Sequence, residues 1–191
     1  MIRSIAMFLS GAFSVVSFVL YMLAIVRREV KPAKASWIVW CVLDLMTFFG
    51  MWAEHTLNVQ VGVVAISSVV IAILSHQFGV PGWTRLDKLC MFGAAVGILA
   101  WLRSGNALFG IVSGIVWNVV GAIPMFEAAW RNPHHERSIA WPLGTVACIL
   151  TCVLCRSLSL AEFGQPLTFL GLNLCIIFLV YVRPALKLRT V

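Results

Sequence analysis

Charge is scarce in this chain. Asp, Glu, Lys and Arg make up 11% of its 191 residues, where a soluble domain carries roughly 25%. Acidic groups are the rarest, 7 Asp+Glu against 14 Lys+Arg, for a net charge of +7. With 61% hydrophobic residues a water-borne fold could not cover its surface, so lipid must be the solvent for much of the chain. The basic balance does not read as nucleic-acid binding, because the basic residues sit in short loops between apolar runs. No nucleophile elbow, P-loop or glycine fingerprint is present and nothing resembles a catalytic pair, so no enzyme is expected. Cofactors are likewise not expected. No small-residue cleavage site follows the first apolar run, which reads as a retained helix. Apart from a loose Cys152-x-x-Cys155 at the end of an apolar run, cysteine pairing is also missing. Cys41, Cys90, Cys148, Cys152, Cys155 and Cys175 are scattered along apolar runs and read as reduced core residues.

What the chain does have is a basic loop, Arg27–Trp40 (RREVKPAKASWIVW), with a degenerate copy at Arg131–Trp141 (RNPHHERSIAW). A spanning helix needs about 20 mostly apolar residues. Seven runs qualify: Ile5–Val26, Ser36–Ala53, Val59–Leu74, Leu86–Leu102, Ala107–Ala129, Ile139–Cys155 and Pro166–Val182, the third and sixth somewhat short. Alternate loops then place eleven Lys and Arg on one side (Arg27, Arg28, Lys31, Lys34, Arg85, Lys88, Arg131, Arg137, Arg183, Lys187, Arg189) and three on the other (Arg3, Arg103, Arg156). The positive-inside rule puts the eleven in the cytoplasm, the N-terminus outside and the C-terminus inside. The location expected is a bacterial inner membrane.

An internal repeat underlies these runs. With Trp37 aligned on Trp141, an offset of 104, Val15-Val16 falls on Val119-Val120, Ala24 on Ala128, Arg27 on Arg131, Val42 on Val146, Thr47 on Thr151 and Ser14 on Asn118. One inserted residue brings Gln60 onto Gln165 and Ser68 onto Asn173. The chain therefore divides into a first three-helix repeat (1–80), a linker region with the fourth helix (81–104) and a second repeat (105–191). Three helices are an odd number. The fourth restores the orientation, so an all-α integral membrane protein with two parallel three-helix bundles, a 3-1-3 arrangement, is expected.

Polar side chains at membrane depth are costly and mark candidate sites. Asp44 lies eight residues into the second run, near the midplane, and reads as a proton or cation site or as a ligand for polar cargo. Asn118 and Asn173, with repeat partners Ser14 and Ser68, share that depth. Asparagine offers two donors and an acceptor, which suits hydroxyl or amide groups, though Ser and Asn also tie membrane helices together. Trp40 and Trp117 are deep enough to stack on a cargo ring, whereas Trp37 and Trp141 read as interfacial anchors. Glu127 reads as the partner of Arg131, one helical turn on. His134-His135-Glu136 reads as a solvated loop with no metal site. Pro124 and Pro142 are candidate bending points, Pro142 being equally suited to a first helical turn.

Pro124-Met125, then Ala128–Ser138 (AAWRNPHHERS) and Ile139–Pro142, resemble the proline-centred helix end, basic loop and proline restart of the SWEET, SemiSWEET and PQ-loop superfamily. Lys31–Trp40 is similar to bacterial relatives of the PQ-loop group. The resemblance implies cargo bound between two rocking bundles, with Asn173 at the site-lining asparagine and Pro124 and Pro142 at two of the hinges. Ser68, Leu20, Ile38 and Met125 depart from the family pattern, and Asp44 lies outside it. The expected function is a facilitative or proton-coupled carrier for a small polar solute, a sugar by default. A monomer suffices for this, and a homo-oligomer is compatible with it. The alternative is a receptor or assembly factor that uses the same fold and transports nothing.

Overall fold

The computed structural model describes residues 2–53, 59–80, 83–104, 107–155, 158 and 160–188. All its elements are helical among the described residues. They are α1 (Ile2–Val26), α2 (Lys34–Ala53), α3 (Val59–Phe78), α4 (Arg85–Ser104), α5 (Ala107–Arg131), α6 (Ala140–Leu154) and α7 (Leu160–Ile177). A π-helical stretch (Phe178–Val182) and a last helical segment (Arg183–Leu188) continue α7. Each expected run is a helix. Most bounds shift by a few residues, chiefly at α3, which runs four residues past Leu74, and at α7, which starts six residues before Pro166, an interior residue of the helix. Spanning helices tolerate an internal proline because neighbours can satisfy the freed carbonyl.

By length and composition, Ser4–Val26, Val59–Phe78, Val112–Arg131 and Phe163–Leu186 can each cross a membrane. The distribution of side chains agrees. Phe8 and Val153 are each 76% exposed, and Ile66, Leu89 and Phe92 also face outward, while Ser10, Ser14, Ser17, Ser36, Ser67, Ser68 and Ser75 are buried. Such inversion suits a chain whose surroundings are hydrocarbon and whose helices are joined by small hydroxyls. Arg156 and Arg189 lie outside the described residues.

Local chemistry explains the helix ends. At the end of α1, Arg28 adopts φ 60°. Its N–H reaches Ile25 O at 2.9 Å and the Glu29 N–H reaches Ala24 O at 2.9 Å, the two bonds of a Schellman cap. Thr84 and Asp87 form a capping box ahead of α4: Asp87 N donates to Thr84 Oγ1 (3.0 Å) and Thr84 N to Asp87 Oδ2 (2.7 Å). After α5, Asn132 Oδ1 accepts from His134 N at 3.1 Å and opens a 3-10 turn, Pro133–His135.

The helices pack in a closed order. α3 packs on both α1 and α2, α7 packs on both α5 and α6, α1 packs on α6, and α2 packs on α5. α4 lies against α5 and the edge of α2. Ser10 meets Thr151 while Ser17 meets Ala140, so α1 and α6 are antiparallel. Ser36 meets Met125 while Trp40 meets Asn118, so α2 and α5 are antiparallel in the same way. Pro124 has no N–H and breaks the ladder of α5. The next N–H, of Met125, finds Ser36 Oγ at 3.0 Å, so the break in α5 is tied to α2. Gly93 and Gly97 of α4 form a seat for the Trp117 indole; a Cβ at Gly97 would overlap the ring.

Candidate functional site

Asp44 is carried on the inner face of α2 and is only 4% exposed. Ser68 of α3 lies beside its carboxyl and turns its own hydroxyl back to Ala65 O at 3.1 Å, while Asp44 Oδ1 is buried with no partner among the described residues. Asn118 of α5 is buried as well. Its amide nitrogen donates back to Gly114 O at 3.0 Å, and its Oδ1 is unpartnered. Asn173 of α7 donates to Cys148 Sγ of α6 at 3.5 Å. Ser14 is buried in α1.

The repeat offset pairs these contacts. Asp44 corresponds to Cys148 (148 − 44 = 104) and Ser68 to Asn173, so the approach of Ser68 to Asp44 between α2 and α3 is matched by the Cys148–Asn173 bond between α6 and α7. Likewise Thr47 Oγ1 donates to Leu43 O and Thr151 Oγ1 to Ala147 O, each at 2.9 Å. One half of the molecule holds an acid at this position and the other a thiol.

The two tryptophans are placed differently. Trp40 Nε1 donates to Asn118 O at 3.0 Å and its ring fills the space beside Gly121, so it fastens α2 to α5. Trp117 turns away onto Gly93 and Gly97 of α4 and is not brought to the other candidates. Pro124 is interior to α5, and Pro142 lies in the first turn of α6. The Glu127–Arg131 pair is present at 2.6 Å.

Two groups of polar residues were not legible beforehand. The first joins α1, α3, α6 and α7. Thr151 Oγ1 lies 2.5 Å from Gln60 Oε1 and 2.7 Å from Ser10 Oγ, and Gln60 also approaches the Cys148 thiol. Its signal was there in the polar residues within apolar runs. The second is centred on Glu136, which is fully buried rather than solvated in its loop. Tyr21 Oη donates to Glu136 Oε2 at 2.5 Å, Ala33 N to Oε1 at 3.2 Å, and Trp141 Nε1 to the Glu136 carbonyl at 2.7 Å. Burial pushes the Glu136 carboxyl up to about 8, outweighing the Tyr21 and Ala33 hydrogen bonds that pull it down. Trp37 and Trp141, expected at the membrane surface, instead pack on Tyr21 with ring centroids 5.3 Å from it. They are drawn in because the Lys31 N–H bonds His135 O at 2.7 Å and folds the two basic loops together over them.

Comparison of the chain with protein-family models, with curated proteins and with solved structures found no match.

Proposed function

We propose that this protein is a carrier that moves a small polar solute across the membrane, with two like-oriented three-helix bundles, α1–α3 and α5–α7, rocking about a midplane site. The carrying observation is the pair of unpartnered buried oxygens, Asp44 Oδ1 and Asn118 Oδ1, on the two helices that face each other across the α2–α5 seam. A buried acceptor without a donor costs about 1–3 kcal/mol, and natural chains keep such groups where a ligand, an ion or water completes them. Asn173, Ser14 and Ser68 complete the polar layer, and Asp44 is the group suited to a proton or cation. The matched contacts of the two repeats, with α4 as linker, support the 3-1-3 reading. The loop charges support an outside N-terminus, and the short PQ-loop-like motifs make a sugar the first solute to try.

The test is uptake into proteoliposomes against a panel of sugars, nucleosides and amino acids. Asp44→Asn and Asn118→Ala should each lower flux of the transported solute at least tenfold while the melting temperature in detergent stays within a few degrees. Unchanged flux in both overturns the site assignment.

A second reading is a non-transporting receptor or assembly factor. It is favoured by the cleft of ≈ 180 Å³ between Trp130, Arg131, Pro133, Arg183 and Pro184. There Arg183 stacks 3.6 Å over Trp130 and donates to its carbonyl at 2.8 Å, forming a preformed basic surface. Failure of every solute to enter liposomes, with retained binding of a soluble partner at that cleft, favours this reading.

A further inference from the structure

The α1–α6 seam is one of the two main helix-to-helix seams between the proposed bundles among the described residues; its repeat-related twin is the α5–α2 seam. The twins differ at one end. Tyr21 and Glu136 fasten α1 to the turn before α6. At the offset of 104 their counterparts are Met125 and Pro32, and both of these are fully buried as well. In one repeat both positions are therefore filled by buried apolar side chains. In the other they are a carboxyl and a phenol bonded to each other, which burial alone does not require. Burying an acid there is costly unless its protonation has a use.

The surroundings of Glu136 are uncharged. From α1 it meets Tyr21; from the α1–α2 connection, the Ala33 N–H at the N-terminal end of α2; from α2 and α6, the indoles of Trp37 and Trp141 packed on Tyr21. Lys31 presents its backbone N–H to His135 O, and its side chain is exposed. Lys34 is half-buried at the start of α2. Arg137, next in sequence, is drawn 5.3 Å over the Tyr181 ring of the α7 extension. His135 is half-buried, and burial and then Lys31 push its imidazole down, toward the uncharged form. Among the described residues the Glu136 carboxyl has no ion pair.

We propose that Glu136 is a proton-binding site that controls the loop end of the α1–α6 seam, closed when the carboxyl carries a proton and opened when it is ionised and hydrated. The inference rests on the carrier reading for its consequence, which is that solute access from the side bearing the basic loops depends on the proton activity of that side. No covalent step is involved. A proton leaves the carboxyl to water when the seam parts and returns when it closes. The closed form holds the proton up to about pH 8, whereas a hydrated carboxyl releases it at its ordinary value near 4.5. Between these limits the closed-to-open ratio falls about tenfold for each unit of rising pH. Tyr21 donates to the carboxylate and so favours ionisation. Its removal moves the transition to higher pH.

The experiment places spin labels at Leu23 of α1 and Ile139, just ahead of α6, both outward-facing. It uses the full chain with its six cysteines replaced, in nanodiscs and without solute. The inter-label distance should lengthen in the wild-type background between about pH 6 and about pH 9. Glu136→Gln, whose Oε1 still accepts from Ala33 N and whose Nε2 donates to Tyr21 Oη with no proton to lose, should stay short throughout. Tyr21→Phe should show the same change at higher pH. A pH-independent distance in the wild-type background overturns the proposal, and so does a change that Glu136→Gln shares. The readout needs no flux. A titrating seam in a protein that moves no solute defeats the carrier reading alone, and a static seam in a protein that transports defeats this proposal alone.

Discussion

Glu136 shows how much one side chain can hold. Its carboxyl satisfies the Tyr21 hydroxyl and the Ala33 N–H, and its carbonyl satisfies the Trp141 indole. Glu136→Ala strands two buried donors and leaves a void, for a loss of about 3 kcal/mol or more. Glu136→Gln should cost less than about 1 kcal/mol, because it keeps the shape and the acceptor for Ala33 N and can donate from Nε2 to Tyr21 Oη. Differential scanning of the purified protein checks both. The sign with pH follows from the raised carboxyl. The folded form binds the proton more tightly than the unfolded chain does. The stabilisation is therefore complete below about pH 4.5 and is lost as pH rises through about 8. The wild-type melting temperature should fall across that window, and that of Glu136→Gln should stay flat. None of this was legible in HHERS as a string. A loop glutamate is ordinarily solvated, and its burial arises only when the 3-10 turn after α5 folds against the Lys31 backbone. Asp44 was legible, because a lone acid within an apolar run has few bland explanations.

At the scale of elements, α4 stands apart as the helix without a counterpart. Its hold on the bundle is the seat that Gly93 and Gly97 offer Trp117. Gly97→Val pushes a branched side chain into the indole, and overpacking of this kind costs about 1–3 kcal/mol. The variant should melt at lower temperature and show shifted tryptophan emission; an unchanged spectrum would mean that the indole has another resting place. Trp117 was expected to face cargo because depth alone was readable. Which way a side chain turns on a uniformly apolar helix is set by its neighbours, and here a pair of glycines decided it. The helices themselves were legible, since each apolar run is bounded by charge or by Pro and Gly. Their ends were less so: α3 continues through Ser75, His76 and Gln77 because Ser75 Oγ turns back to Ala72 O at 2.8 Å. Pro166 looked like a helix start and is an interior residue.

In the whole molecule α1–α3 and α5–α7 close on one another through two antiparallel seams, α1–α6 and α2–α5. On the carrier reading, any rocking of one bundle against the other has to part these seams, and each can part at only one end at a time if solute is not to leak. The α1–α6 seam is fastened at both ends, by Tyr21–Glu136 and by Ser10–Thr151–Gln60. Eleven residues of α1 separate Tyr21 from Ser10, or about 16 Å along the axis, half the thickness of a hydrocarbon core. The far fastener is therefore the natural place to lock the motion covalently. Ser10→Cys with Thr151→Cys, with the native cysteines replaced, puts two thiols where hydroxyl oxygens now lie 2.7 Å apart. Oxidation should abolish solute flux and a reductant should restore it, with the opened state at the loop end unaffected by the bond. Full flux through quantitatively cross-linked protein would mean that the bundles do not separate along this seam. The carrier would then have to work through the α2–α5 seam alone, where the unpartnered oxygens of Asp44 and Asn118 sit.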